Sequence, residues 1–236
     1  IGGDLDGHGF LDPQGSKALQ VMCDVLLFAD TGSASHSQVN SILGVLQWFD
    51  LLCRPALSVF DTVYDFVRDQ VAENDSCPLP GCVMSELLHS ISLAPYWSAD
   101  LSRPYLPILS ATDASTSYGF GVSVASATEQ EVRSISRLAE KRGDYVKLEK
   151  SAQDAGDLCE RIGQPYNLNI PKSRFSTVLS IRAKHQAHIN VLEGQAYLLW
   201  LRWMLRSVKR HGSRVVCLLD SKVILGCASK GRSSST

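Results

Sequence analysis

A long amphipathic helix that hands over directly to a wholly apolar strand is the feature that most restricts this chain. In "NVLEGQAYLLWLRWMLRSVKRHG", Leu192, Ala196, Leu199 and Trp203 recur at helical spacing and form a broad apolar stripe. Arg206, Lys209, Arg210 and His211 suit the carboxyl end of a helix, and Gly212 is placed to end it. "SRVVCLLDS" then reads as a buried strand, and "KVILGCASKG" opens another helix. Upstream, Ile108 and Leu109 start an apolar strand after Pro104 and Pro107. "YGFGVSVAS" alternates as its hairpin partner, and "FSTVLSIRA" (175–183) supplies a third strand. The order strand, strand, strand, helix, strand, helix predicts an α/β unit with a mixed sheet from residue 106 onward.

Residues 1–105 read as mainly helical. "GSKALQVMCDVLLFAD" fits a helix or a strand-rich hairpin. In "SHSQVNSILGVLQWFDLLC", Ser37 is placed to cap a helix with Val39, Ile42, Leu43, Leu46 and Phe49 on one face. Arg54–Pro55 interrupts it, because proline disfavours helix in the preceding residue and removes a donor. A second helix is expected to follow, with Leu57, Phe60, Val63 or Tyr64, Val67 and Val71 on its apolar face. "ENDSCPLPGC" is a loop rich in turn formers, and "VMSELLHSISLA" a short helix. Residues 126–175 are polar, with a helical stretch in "EQEVRSISRLAEKRG", and part of that span reads as an insertion.

With 236 residues the chain is long enough for one large or two small domains. No uninterrupted apolar run approaches the ~18–20 residues that span a bilayer, and no basic-then-apolar leader opens it. The seven cysteines are scattered, and Cys77 and Cys82 lack a second metal-ligand pair, so reduced thiols in an intracellular protein are expected. Charge is the informative part of the composition. Residues 170–236 hold twelve Lys and Arg against two acids, Glu193 and Asp220; residues 1–169 hold eleven against twenty-two. That split points to a polyanion partner for the C-terminal part, contacted chiefly through Arg182, Lys184, Arg206, Lys209 and Lys222.

Three carboxylates fall at the ends of predicted elements: Asp113 after the first strand, Glu193 in the first turn of the long helix, and Asp220 after "VVCLL". Acids at such positions can converge on one sheet edge, where hard cations such as magnesium prefer oxygen ligands. Each also has a structural reading. Asp113 can close an Asx turn on Ser115, Glu193 can form a capping box with Asn190, and Asp220 can cap the helix near Lys222. Tyr197, Trp200 and Trp203 can stack on bases or fill the core, and His185 and His188 read as surface or phosphate-contacting residues.

"ATDASTSYGFGV", "HINVLEGQAYLLWLRW" and "VVCLLDSKVILGCASKG" resemble, in that order, the first three motif blocks of the ribonuclease H domain of retroelement polyproteins. The likeness is nearest to the DIRS-like, tyrosine-recombinase group, which has a similar "INVLE" block and an Asp-Asn pair where this chain has Asp220-Ser221. "VNSILGVLQWFDLLCRPALSVFDTVYDFV" resembles the segment that follows the polymerase palm in that group. The resemblance implies a ribonuclease H-like mixed sheet with flanking helices over 106–236, C-terminally incomplete, behind a palm-end, thumb and connection-like helical segment over 1–105. It also implies two magnesium ions, with manganese as an alternative, held by Asp113, Glu193 and Asp220. The activity would be hydrolysis of RNA in an RNA–DNA hybrid. The partners would be that hybrid and the rest of the polyprotein, with no membrane involved. The family's fourth acid would lie beyond Thr236 and its polymerase fingers and palm before Ile1. The expectation is therefore no polymerase activity and a nuclease that is weak or inactive. The alternative is a noncatalytic nucleic-acid-binding or scaffolding remnant of the same fold.

Overall fold

The computed structural model describes residues 3–68, 75–138, 145–149 and 163–231. The protein is mixed α/β and divides into two compact units, Ile1–Ser102 with Gly226–Thr236, and Arg103–Leu225. The sequence places the division at 105/106 and assigns everything after it to the second domain. Residues from Gly226 on instead group with the first unit, where the Arg54 guanidinium donates to the Ser229 carbonyl.

In the first unit, β1 (Gly3–Leu5) and β2 (Phe10–Pro13) lead into α1 (Gly15–Thr31), β3 (Ser33–Ala34) and α2 (His36–Asp50). The ambiguous "GSKALQVMCDVLLFAD" is thus a helix, and Val21, Val25 and Phe28 are its buried face. The cap of α2 is Ser35, not Ser37. Its side chain accepts from Gln38 N at 3.2 Å while Gln38 Oε1 accepts from Ser35 N, a closed capping box.

A 3-10 segment, Leu51–Val59, follows, broken at Cys53 (φ −133°, ψ 73°) just ahead of Arg54–Pro55. By length and mean hydropathy of 1.3, His36–Val59 is long and apolar enough for a membrane span. Here that stretch is two pieces, and Val39, Leu43, Leu46 and Phe49 are buried in the unit's core. The expected second helix shrinks to α3 (Thr62–Arg68), because Phe60 is extended and the Glu86 carboxylate accepts from the Asp61, Thr62 and Val63 amides. Val71 lies outside the described residues. Two short strands complete the unit around α4 (Gly81–Ser92). β4 (Cys77–Pro78) pairs with β3, and β5 (Ala99–Asp100) joins the sheet β1-β2-β5.

The second unit is built on β6 (Tyr105–Ala114) and β7 (Gly119–Ser126), an antiparallel hairpin as predicted. Then come α5 (Glu129–Ser136), the parallel pair β8 (Tyr145–Glu149) and β9 (Pro165–Pro171), β10 (Ser176–Arg182), α6 (Ile189–Leu205), β11 (Arg214–Leu219) and α7 (Lys222–Lys230). Four strands form one sheet in the order β10-β7-β6-β11. β10 and β7 are antiparallel to their neighbours within β10-β7-β6, and β11 runs parallel to β6.

Strand alternation separates the two faces. Leu109 and Ala125 pack with Val132 and Ile135 of α5 on one side. Phe120 and Val122 pack on the other side, the first with Leu192 and Ala196 and the second with Trp200 and Met204, all of α6. Residues 126–175 are therefore in part a working piece of the unit, since α5 covers one face of the sheet. Residues 139–144 and 150–162 lie outside the described residues.

α6 stops at Leu205, seven residues before Gly212. Ser207 is extended, Arg210 donates to the Trp203 carbonyl, and His211 Nε2 meets the Leu205 carbonyl at 2.9 Å. The basic residues foreseen at the helix end do satisfy its last carbonyls, but they do so from beyond it, so the helix has no need to continue.

Candidate active site

The crossover through α6 carries the chain from β10 at one edge of the sheet to β11 at the other, beside β6. Because β11 is parallel to β6, with Leu219 level with Thr112, Asp113 and Asp220 leave neighbouring strands at the same edge, and both are exposed. Adjacent strands run about 4.8 Å apart. Glu193 arrives from the other direction. Leu192 and Ala196 seat the start of α6 on Phe120, which pairs with Ala114 in the hairpin, so Glu193 comes down next to the end of β6 and is only 7% exposed.

One amide ties two of the acids together. The Ala114 N–H donates to Asp113 Oδ1 at 2.8 Å and also lies against the Glu193 carboxyl. Burial pushes the Glu193 carboxyl above its ordinary range. The negative charges of Asp113 and Asp220 push it the same way, and the Ala114 amide offsets part of the effect. The three acids thus share one electrostatic neighbourhood.

None of the three holds the local post that the sequence offered it. Asp113 is inside β6, paired with Gly121, and turns its oxygen onto Ala114 N instead of Ser115. The turn belongs to the serines: Ser117 N donates to Ser115 Oγ at 3.2 Å. The cap of α6 is His188, whose Nδ1 accepts from Asn190 N, so no capping box links Asn190 to Glu193. The cap of α7 is Ser221, whose Oγ accepts from Ile224 N while its carbonyl takes Leu225 N. Two groups at this site lie outside the sequence expectations, the Ser221 cap and the Ala114 amide. The first has a sequence signal, a serine three residues before the apolar Ile224; the second, a backbone group, has none.

Gly119 shapes this edge. Its φ is +149°, and a Cβ there would stand 2.2 Å from the Ile181 carbonyl oxygen and 2.4 Å from Ala183 N. Only a glycine lets the end of β10 pass so close to the hairpin, where Ala183 N donates to the Tyr118 carbonyl at 2.9 Å. β10 then ends with Arg182 level with Gly119.

The predicted basic residues separate into two groups. Arg182 and Lys184 follow β10 to the carboxylate edge, and Lys222 stands two residues after Asp220; all three are exposed. Arg206 and Lys209, also exposed, lie past the far end of α6. Thirteen residues at about 1.5 Å each put Arg206 roughly 20 Å from Glu193 along the helix. The aromatic residues are not an open stacking platform. Trp200 is 2% exposed, Tyr197 packs at 5.3 Å against it, and the Arg210 guanidinium lies 3.5 Å over the Trp203 ring.

The donor set suits a hard divalent cation, since three carboxylates of mutually unfavourable charge would each gain from it. Among the described residues, however, no three His, Cys, Asp or Glu side chains are gathered closely enough to form a ready cation site. Like-charge repulsion favours that spread. The cysteines add nothing to the site: Cys217 on β11 is held protonated by burial, which pushes its thiol up to about 12, and the other described cysteines are free and outside it. No family model, curated protein or solved structure matches the chain.

Proposed function

We propose that the second unit is a ribonuclease H-like nuclease of a retroelement reverse transcriptase, acting on the RNA strand of an RNA–DNA hybrid. The observation that carries this reading is the buried Glu193, which shares the Ala114 amide with Asp113 and feels both Asp113 and Asp220. The sheet supports it as well: three antiparallel strands, then a crossover through α6 to a fourth strand parallel to the first. Magnesium ions, held by Asp113, Glu193 and Asp220, would supply an activated water and neutralise charge at the scissile phosphate. The chain's own groups position and steer. The Ala114 amide holds Asp113 Oδ1 and offsets part of the cost of charge on Glu193. Arg182, Lys184 and Lys222 flank the acids and attract the phosphate backbone.

The test is cleavage of a labelled hybrid in magnesium or manganese by the parent, Asp113→Asn and Glu193→Gln, with circular dichroism confirming the fold. Weak cleavage by the parent and none by either variant is expected. A parent that binds hybrid without cutting it selects the second reading, a noncatalytic nucleic-acid-binding module, which Ser221, standing where the resembled group has an Asn, favours. Cleavage by Asp113→Asn at the parent's rate excludes this site as its source.

A further inference from the structure

The two units carry opposite charge. Residues 1–102 with 226–236 hold thirteen Asp and Glu against five Lys and Arg, a formal −8, while residues 103–225 hold eleven acids against eighteen bases, a formal +7. Each unit also exposes an apolar helix face. On α1, Leu19 and Leu26, seven residues apart, are 64% and 54% exposed, with Leu27 beside them at 57%. On α6, Val191, Leu198 and Leu205 repeat at the same spacing and are 52%, 53% and 67% exposed. Apolar residues repeating every seven positions form a straight seam along a helix, the geometry by which one helix packs lengthwise on another.

The surroundings of the two seams are complementary. The seam on α6 is bordered by the exposed Arg202, with the exposed Arg206 just past its last residue, and the one acid of that helix, Glu193, is buried on its opposite side. On α1 the exposed Asp30 stands four residues after Leu26, on the side of that seam, and the helix belongs to the acidic unit. A second α6 would meet the first with like charge, whereas α1 of another copy meets it with opposite charge. We propose that the protein self-associates, the Leu19–Leu26 face of α1 in one copy docking on the Val191–Leu198–Leu205 face of α6 in another. Burial of the leucines supplies the affinity and the unit charges set the orientation and the encounter rate.

The experiment is sedimentation velocity of the full chain at about 50 mM and about 500 mM salt, since raising ionic strength screens exposed charge. Association at low salt that weakens at high salt is expected. Two uncharged double variants identify the faces: Leu19→Gln with Leu26→Gln on α1, and Leu198→Gln with Leu205→Gln on α6. All four side chains are exposed, so each variant keeps the fold, checked by circular dichroism. Each alone should associate about a hundredfold more weakly than the parent, because an apolar seam is lost. Mixed in equal amounts they should form a one-to-one pair, since each brings the intact face that the other lacks. A parent that stays monomeric at low salt overturns the proposal. So does a mixture that fails to pair, or an α1 variant that associates as well as the parent.

Discussion

Asp50 offers a perturbation whose size can be worked from the structure. It ends α2 in the core of the first unit with no exposed surface, and its Oδ1 accepts from Trp97 Nε1 at 2.9 Å. Its Oδ2 is buried with no hydrogen-bond partner. Burial pushes the carboxyl from an ordinary 3.8 to about 6, against the opposing pull of the Trp97 bond. For an acid with a raised value the folded state binds more protons than the unfolded state in between, so stability falls as pH rises through that window. At ~1.4 kcal/mol for each pH unit, the gap comes to about 3 kcal/mol, nearly all of it lost by pH 7. Asp50→Asn keeps an oxygen for Trp97 and places an uncharged group where Oδ2 sits, as the protonated acid does. The variant should therefore gain about 3 kcal/mol on the parent between about pH 4 and pH 8 in urea unfolding, apart from a constant offset of ~1 kcal/mol for its buried amide. Reading the difference between the two proteins cancels the other titrating groups. Curves that stay parallel from acid to alkaline pH would refute the reasoning, because they would mean that Asp50 ionises as easily inside the protein as outside it.

Three further outcomes are expected. Glu193→Gln should be more stable than the parent above the ordinary Glu value of 4.5, with an advantage that grows as pH rises and vanishes in acid, measured by thermal unfolding across pH. Gly119→Ala should collapse the pairing of β10 with the hairpin, because the new Cβ would meet backbone at 2.2 Å; loss of amide-exchange protection in 176–182 is the readout. Glu86→Ala should cost about 1–3 kcal/mol in urea unfolding at neutral pH by leaving the α3 amides unpaired. Burial pushes the Glu86 carboxyl up, but its hydrogen bonds to Asp61, Val63 and Thr62 outweigh that and leave it below the ordinary range, so the contribution should fade as pH falls.

Element types were legible where periodicity was strong. Val39, Ile42, Leu43, Leu46 and Phe49 form the buried face of α2, and the hairpin, β10, α6 and β11 stand where alternation and apolar runs predict them. Boundaries were less legible, because they turn on single side-chain bonds. Ser35 and Ser37 are equally good cap residues in sequence; Gln38, three places after Ser35, decides between them. Gly212 is a good helix stop, and with φ at +65° it does sit in the left-handed region, yet α6 ends earlier because Arg210 and His211 take its last carbonyls. Long-range consequences were not legible at all. Nothing local in the sequence says that Glu86 would cap α3, or that residues from Gly226 on would group with the first unit.

The candidate site shows why single-residue reading stops short. Asp113, Glu193 and Asp220 are each credible as turn or cap residues, and at each place the structure gives that post to another group: Ser115, His188 and Ser221. Asp113 and Asp220 are exposed, so water carries the cost of their charge. Glu193 is different. A buried carboxylate beside two others works against folding, and a glutamine of the same shape would relieve it. Departures from local stability of this kind concentrate where a chain does chemistry, which is why Glu193 weighs more than either aspartate in the proposed reading. The same cost would fall on a purely binding module, with nothing to offset it. Glu193→Gln therefore separates the two readings: a variant that is more stable, binds hybrid as before and no longer cuts belongs to a nuclease. If it is more stable and unchanged in every other respect, the buried acid has no catalytic part.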